Sequence, residues 1–243
     1  MKETKIILLN PTANPAKKFG ECIAKLEKFI RQYPKNILTV DAQFNIAKLY
    51  FAKKEYENGR KLLNEMLKNY SQSPIICSEI LVQLGQSYQL EGKIDSAILE
   101  YEKIINEYPL TPNGLRMPIL IAQVYKSEHI PEKMNYAYQR AVKHYEGLIQ
   151  KYPNSPIALE CYKLIASCYT ELRQWGKAIQ TLEEIIQKFQ SKASMDRILF
   201  DIALIYQQKL NDNQKARETL QRLINDFPQS RLTATAKSLI KKL

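Results

Sequence analysis

The chain has 243 residues, of which 45% are apolar and 25% charged, a balance that is ordinary for a soluble globular protein of one or two domains. Its longest early apolar run, residues 6–9, is shorter than a signal-peptide core of about 7–15 residues or a membrane span of about 20 residues. The net charge of +11 favours an acidic partner, which could be a protein face, nucleic acid or an anionic membrane surface. A lysine-rich solvated surface is the alternative explanation, because the charges are spread along the chain.

Residues 1–16, in which Pro11 and Pro15 stand among asparagine and threonine, predict an irregular N-terminal arm. Lys17 begins a first amphipathic helix, and Tyr33-Pro34 ends it because a residue before proline is disfavoured in the α region. This aromatic stop recurs along the chain at steps of 37, 38, 44, 37 and 38 residues. The equivalent positions are Tyr33, Tyr70, Tyr108, Tyr152, Phe189 and Phe227. A period of this length is typical of an array of helical hairpins.

Two further markers share this period. On the first helix of each predicted hairpin a small residue precedes a tyrosine by three positions: Ala47/Tyr50, Gly85/Tyr88, Ala122/Tyr125, Ala166/Tyr169 and Ala203/Tyr206. The second helix carries another small residue, which is Gly59, Ala97, Ala141, Ala178 or Ala216. Small residues let two helices approach closely, and the tyrosine fills the gap beside them. We therefore predict a half-repeat at 17–33, five hairpins and a capping helix from about Ser230, all in one domain, 17–243.

The third hairpin is longer than the others. Sixteen residues separate Tyr125 from Ala141, whereas three other hairpins have nine at this place and the fifth has ten. We assign both insertions to the hairpin loops, and in the third hairpin longer helices are the alternative. A loop that protrudes from a repeat stack is a common interaction site, which makes His129, Glu132 and Lys133 candidate binding residues. Trp175, in the fourth hairpin loop, is interpreted as a packing residue.

Candidates for catalysis or metal binding are absent from the sequence pattern. There is no glycine-rich phosphate loop, no GxSxG, no CxxC pair and no Cys/His pairing. His129 and His144 lie at no metal-ligand spacing. Cys161 and Cys168 share a predicted helix, where a rise of 1.5 Å per residue separates them by about 10 Å, too far for a disulfide bond. We expect free buried thiols, no cofactor, no metal, no enzymatic activity and a reducing compartment, the cytoplasm.

The hairpins resemble the tetratricopeptide repeat. In the second hairpin the family pattern is matched by Leu81, Leu84, Gly85, Tyr88, Ala97, Tyr101 and Pro109. The resemblance extends from Lys17 to the C-terminus and implies an all-α, right-handed α-solenoid that acts as a scaffold or adaptor. The long repeats, and Tyr-Pro followed by Ser-Pro at 152–156, are similar to a bacterial subgroup. That subgroup includes the lipoprotein of the outer-membrane barrel-assembly machine and the periplasmic coordinator of the Tol-Pal system.

The resemblance also implies a binding site. In this family the first helices of successive hairpins line a groove that takes a peptide or a partner helix. The corresponding candidates here are Phe44, Lys48, Phe51, Gln86, Arg116, Gln123, Lys126, Lys163, Arg197 and Phe200. The middle of this set, around Arg116, Lys126 and Lys163, is the most basic, so we expect an acidic protein or peptide partner. Nonspecific nucleic-acid binding is one alternative function, and periplasmic cell-envelope assembly, if a leader has been removed, is the other.

Overall fold

The computed structural model describes residues 15–189 and 194–243, and within these residues every regular element is an α-helix. The helices are α1 (Pro15–Gln32), α2 (Leu38–Ala52), α3 (Tyr56–Asn69), α4 (Pro74–Leu90), α5 (Ile94–Glu107), α6 (Pro112–Ser127), α7 (Pro131–Lys151), α8 (Pro156–Glu171), α9 (Trp175–Lys188), α10 (Met195–Lys209), α11 (Asn213–Asp226) and α12 (Leu232–Ile240). The predicted all-α class is confirmed. Residues 1–14 of the predicted arm lie outside the described residues, and Pro15 and Ala16 belong to α1 instead of the arm.

The chain divides into two compact units, residues 1–117 and 118–243, and the division falls inside α6. In the first unit α1 packs on α2, and α2 to α5 follow as two hairpins in which each helix packs on the next. In the second unit α7 packs on α8, the pairs α8/α9 and α10/α11 form hairpins, and α12 packs on the last pair. Each unit thus has the stacked hairpins of an α-solenoid. The single domain over residues 17–243 stays a prediction.

All five hairpins are closed by a connection of three residues, at 53–55, 91–93, 128–130, 172–174 and 210–212. The middle residue of each connection has a positive φ of 52–79° and is Lys54, Gly92, His129, Arg173 or Asn211. The third residue donates its N–H to the carbonyl oxygen of the marker tyrosine at 2.8–2.9 Å in every case. The left-handed residue reverses the chain, and this hydrogen bond satisfies a carbonyl that the ending helix leaves open. Four hairpins therefore share one turn, and the fifth closes on its tyrosine with one residue more.

The assignment of the insertions to the hairpin loops is wrong. Helix α7 has 21 residues, whereas each of the second helices α3, α5, α9 and α11 has 14, so the seven additional residues lengthen a helix. Seven residues make about two helical turns, so Tyr138, Ala141 and Tyr145 still lie on the buried face. The extra residue of the fifth hairpin lies in α10, which continues three residues beyond Tyr206.

All ten small residues of the repeat pattern are buried. Gly85 shows the reason most clearly, because a Cβ atom placed there would lie 2.2 Å from Cε1 of Tyr101. The Tyr101 ring is fully buried and its hydroxyl donates a hydrogen bond to Gln89. A Cβ at Gly59 would likewise lie 2.3 Å from Cε1 of Phe51. These glycines are required by the ring that occupies the space of a side chain.

A buried cation joins the two hairpins of the first unit. The Arg60 side chain, on α3, donates to the Glu91 carboxylate at 2.7 Å and lies 4.4 Å above the centroid of the Tyr88 ring. It also pairs with Glu57 on its own helix. Burial disfavours the charged guanidinium, but the two carboxylates outweigh this effect and raise the Arg60 pKa above its usual value. The contact fixes the second hairpin against the first by polar as well as apolar groups.

We predict that Gly85→Ala destabilises the protein by about 1–3 kcal/mol, because the added methyl group must displace the buried Tyr101 ring. Gly147→Ala is the matched control, since Gly147 lies within α7 and, apart from the adjacent backbone of α7 itself, nothing lies within 4 Å of its Cβ position. It should stabilise the protein by about 0.5–1 kcal/mol through helix propensity. Urea denaturation followed by circular dichroism measures both, and equal shifts of the two midpoints would contradict the packing argument.

We further predict that His129→Gly stabilises the protein by about 0.5–1 kcal/mol, because glycine adopts the positive φ of 58° without strain. Gly92→Ala, at the same position of another turn, should destabilise the protein by about 1 kcal/mol. Thermal unfolding of the two variants checks the pair. A loss of stability in His129→Gly would mean that the imidazole makes a contact that outweighs its backbone strain.

Candidate functional site

An open groove lies between the first helices of the two hairpins of the second unit. Its walls come from α8 and α10, its base comes from α9, and its volume is about 610 Å³. The lining residues that carry the argument are Lys163, Ser167, Trp175, Arg197, Leu204 and Lys209. This is the position at which the resemblance places a ligand groove, and a cavity of this size suits one or two side chains of a peptide.

The base of the groove is apolar and its rim is charged. Trp175 is half-buried at the base, Leu182 and Ile198 also line the groove, and the Lys209 ammonium lies 5.7 Å from the centroid of the indole ring. This arrangement is a cation–π contact at a partly exposed site. The groove therefore offers an apolar anchor position at Trp175 next to the exposed ammonium of Lys209.

Most rim charges are already paired within the second unit. Arg197 contacts Asp201 at 3.1 Å on the same helix, and the Lys163 ammonium lies 3.6 Å from Glu160. Lys126 reaches from α6 to Glu171 at the end of α8, at 2.7 Å. Exposed pairs of this kind exchange partners readily, because each contributes only about 0–1 kcal/mol. The rim can thus reorganise around a charged ligand at small cost.

In the second unit, Lys163 and Arg197 are the two predicted site residues that the structure brings into one groove. Lys126 contacts a rim residue, Glu171, and Gln123 is exposed on α6. Phe200 is half-buried and packs against the hydrophobic core of this unit. The ring of Phe200 therefore contributes to the stability of the unit in addition to any contact it makes at the surface.

In the first unit, Lys48, Gln86 and Arg116 are exposed and Phe44 is half-buried. Phe51 is only 6% exposed and its ring lies against Gly59 on α3. The aromatic ring of Phe51 thus belongs to the contact between the two helices of its hairpin. The cavity described in the first unit, between α1 and α3, is lined by none of these five residues.

The three candidate loop residues separate into two groups. His129 is the left-handed residue of the turn, the position that Gly92 holds in the second hairpin. Glu132 and Lys133 belong to the first turn of α7, where Lys133 lies 5.4 Å from the centroid of the Tyr125 ring. All three side chains are exposed. They sit on a rigid helix end and its turn, and the long loop that the spacing suggested does not exist.

Sequence reasoning missed the two residues at the base and end of the groove. Trp175 is predicted to be first of all a packing residue in a hairpin loop, whereas it is the first residue of α9, is half-buried and lines the groove. Lys209 lies at the end of α10, outside the first-helix positions carried over from the family. The single tryptophan of the chain was the available signal for Trp175, whereas Lys209 meets it only in the folded chain.

The buried thiols have the character of core residues. Burial raises the pKa of Cys161 to about 11 and that of Cys168 to about 12, so both stay protonated at neutral pH and are poor nucleophiles. Among residues 15–189 and 194–243, no group of three His, Cys, Asp or Glu side chains is placed to hold a metal ion. Within that same part of the chain, no helix has the length and apolar character needed to cross a bilayer.

The stacked hairpins and their repeated turn define the class of a helical repeat protein. The sequence model of the tetratricopeptide repeat matches residues 41–73, 79–111, 132–155, 164–191 and 197–230. These matches span more than half of the chain, and the chain therefore belongs to the tetratricopeptide repeat family. Four of the matches cover most of a hairpin, whereas the match in the third hairpin begins inside α7 and includes no part of α6.

Several solved structures are similar to this chain. BtubC (BKLC) from P. vanneervenii is 16% identical with a TM-score of 0.49, over 88% of this chain and 91% of that one. TTC0263, a thermophilic tetratricopeptide repeat protein of Thermus thermophilus, is 15% identical with a TM-score of 0.46, over 82% and 97%. YrrB, described as having an unusual peptide-binding site, is 16% identical with a TM-score of 0.41, over 88% and 97%. Likeness at this level carries no argument about function, and no curated protein matches the sequence.

Proposed function

We propose that this protein is a scaffold or adaptor that binds a segment of a partner protein in the groove between α8 and α10. Proteins of the tetratricopeptide repeat family generally mediate protein–protein interactions and are typically not enzymes. The observation that carries the proposal is the open groove of about 610 Å³ with Trp175 at its base and Lys163, Arg197 and Lys209 along its length. It combines an apolar anchor position with polar groups that can orient a peptide.

The partner segment in this proposal presents one large apolar side chain and at least one carboxylate. The apolar side chain would cover Trp175 and Leu182, which line the groove. A carboxylate would pair with Lys209, whose ammonium has an aromatic contact but no described ion pair. The overall charge of +11 would speed the approach of an acidic partner. We therefore propose the acidic partner that the sequence predicts.

We also propose a cytoplasmic location, and the likeness to the long-repeat bacterial subgroup is a proposal too. Four free cysteines are buried in separate positions of the described helices, which supports a reducing compartment and therefore the cytoplasm. Periplasmic assembly work, as in the long-repeat bacterial subgroup, and nonspecific nucleic-acid binding are the alternatives drawn from the sequence. The salt dependence of binding tests the nucleic-acid alternative, because nonspecific binding to nucleic acid weakens steeply between about 50 and 200 mM salt.

The test is affinity purification of partners from the native source with wild-type and variant bait. We predict that Lys163→Glu combined with Arg197→Glu reduces the recovered partner at least about fivefold, because both rim cations become repulsive to an acidic segment. Recovery is measured by quantitative mass spectrometry of the co-eluting proteins, and circular dichroism checks that the variant is folded.

The matched control carries the same change of charge away from the groove. Arg217→Glu and Lys237→Glu lie on α11 and α12, are exposed, and do not line the groove. The control should recover the partner as the wild type does. Equal loss with both variants would mean that net charge alone attracts the partner, and full recovery with the groove variant would overturn the proposed site.

A further inference from the structure

An ion pair between two hairpins borders one end of the groove between α8 and α10. Glu171, the last residue of α8, lines the groove, and one of its carboxylate oxygens lies 2.7 Å from the Lys126 ammonium on α6. Both side chains are in contact with solvent, at 35% exposure for Glu171 and 56% for Lys126. Water competes for charges with this exposure, so the pair is weak. The Glu171 carboxylate can therefore change partners at small cost.

A tyrosine hydroxyl is buried close to this ion pair. Tyr138, on α7, is fully buried, and its hydroxyl makes no hydrogen bond of normal geometry with any described residue. Burial raises the Tyr138 pKa to about 12, with a smaller contribution from the nearby charge of Glu171. A buried hydroxyl without a partner is unfavourable, because folding removes its hydrogen bonds to water and does not replace them.

The length of α7 explains why this hydroxyl is buried. Tyr138 precedes the small residue Ala141 of the repeat pattern by three positions. The equivalent residues of the other second helices are Tyr56, Ile94, Trp175 and Asn213. Each of these four is the first residue of its helix and is at least partly exposed. Tyr138 is instead the eighth residue of α7, because the two additional turns precede it. A position that contacts water in the other hairpins is therefore enclosed in the third.

The first unit shows what a tyrosine at this position can reach. The hydroxyl of Tyr56 donates a hydrogen bond to the carbonyl oxygen of Leu90 at 3.2 Å. Leu90 is the last residue of α4 and lies two residues after its marker tyrosine, and Glu171 holds the same place at the end of α8. The equivalent of this contact for Tyr138 is therefore made with Glu171. A carboxylate is a stronger hydrogen-bond acceptor than a peptide carbonyl.

We infer that the Lys126–Glu171 pair is a latch on the groove, and that Glu171 has a second position in which it accepts a hydrogen bond from the Tyr138 hydroxyl. The inference rests on the proposed function, because the ligand that opens the latch is the acidic segment proposed above. A ligand carboxylate would pair with Lys126, and Glu171 would turn to Tyr138. Lys126 thus binds the ligand, and Tyr138 is a positioning residue that acts through Glu171.

This exchange of partners makes the groove selective for acidic segments. A neutral segment leaves the latch closed and gains nothing from the buried hydroxyl. An acidic segment gains the Lys126 ammonium, and the displaced Glu171 carboxylate is stabilised by the Tyr138 hydroxyl. The turn of Glu171 also removes a negative charge from the rim, where it would repel the ligand. The free protein thus has one unpaired buried hydroxyl, and the complex has none.

The latch is tested first without a ligand, by urea denaturation of the full chain. Tyr138→Phe removes the hydroxyl and keeps the ring, so it should raise the midpoint by about 0.2–0.5 M. Lys126→Met releases Glu171 to the hydroxyl, and in that background Tyr138→Phe should lower the midpoint by about the same amount. A Tyr138→Phe effect of the same sign and size in both backgrounds would overturn the second position of Glu171.

Tyr145→Phe is the matched control for this cycle. Tyr145 is also fully buried on α7, but its hydroxyl has a hydrogen bond with the backbone of Ile119. The substitution should therefore lower the urea midpoint equally with Lys126 and with Lys126→Met. A change of sign in the control as well would mean that Lys126→Met alters the core in general, and it would overturn the latch.

The role of the latch in binding is tested with the peptide Gly-Glu-Asp-Phe-Glu-Asp-Gly, whose binding is followed by the fluorescence of Trp175, the single tryptophan. Tyr138→Phe should weaken binding about three- to tenfold, because the displaced carboxylate loses its partner. Tyr145→Phe should leave binding unchanged. In a Glu171→Ala background Tyr138→Phe should have no effect on binding, since the two residues act as a unit. An equal loss in both backgrounds would overturn the role assigned to Tyr138.

The proposed function and the latch fail in different ways. Fluorescence of the wild type that does not respond to the peptide would contradict the groove as an acidic-segment site. A peptide that binds the wild type and Tyr138→Phe equally would support the groove and overturn the latch. The urea cycle contains no ligand, so its result bears on the second position of Glu171 whatever the groove binds.

Discussion

Two helices joined by three residues must run back along each other, and in this protein the distance between them is set by residues that lack a long side chain. At Gly85 a ring from the facing helix occupies the place of a Cβ atom. At the end of the same helix, the carbonyl oxygen of Tyr88 accepts the N–H of Lys93 and closes the turn. The distance between the two helices and the reversal of the chain between them are thus fixed within one hairpin. The stacking of hairpins and the grooves between them follow from that geometry.

The sequence was sufficient for this part of the structure because its signals are local. Aromatic stops, buried small residues and marker tyrosines occur in every hairpin, so they can be recognised as a period. The location of the insertions could not be obtained in the same way. A spacing between Tyr125 and Ala141 counts residues but does not say whether they are helical. Pro131, which lies in the first turn of α7, is compatible with the start of a helix as well as with a loop.

The candidate site was predicted less well than the fold, for a physical reason. Groove positions are exposed, so packing does not dictate their residue types, and the chain has no repeated side chain there to recognise. Lys163 and Arg197 were named because a family pattern places them on first helices. Trp175 and Lys209 come from neighbouring elements, and only the folded chain brings them to the same groove. The ion pairs that partly neutralise the basic rim include Lys126 with Glu171, two residues that are far apart in sequence.

The length of α7 constrains how this repeat array can change. Each residue added to a helix turns everything beyond it by about 100°, so an insertion is tolerated only when the total rotation returns close to a full circle. An insertion of seven residues rotates the helix to within about 20° of two full circles, and an insertion of eleven comes about as close to three. An insertion of five would instead turn Tyr138 and Tyr145 towards solvent. Second helices in such an array can therefore lengthen only in discrete steps, and the seven additional residues of α7 are one such step of two turns.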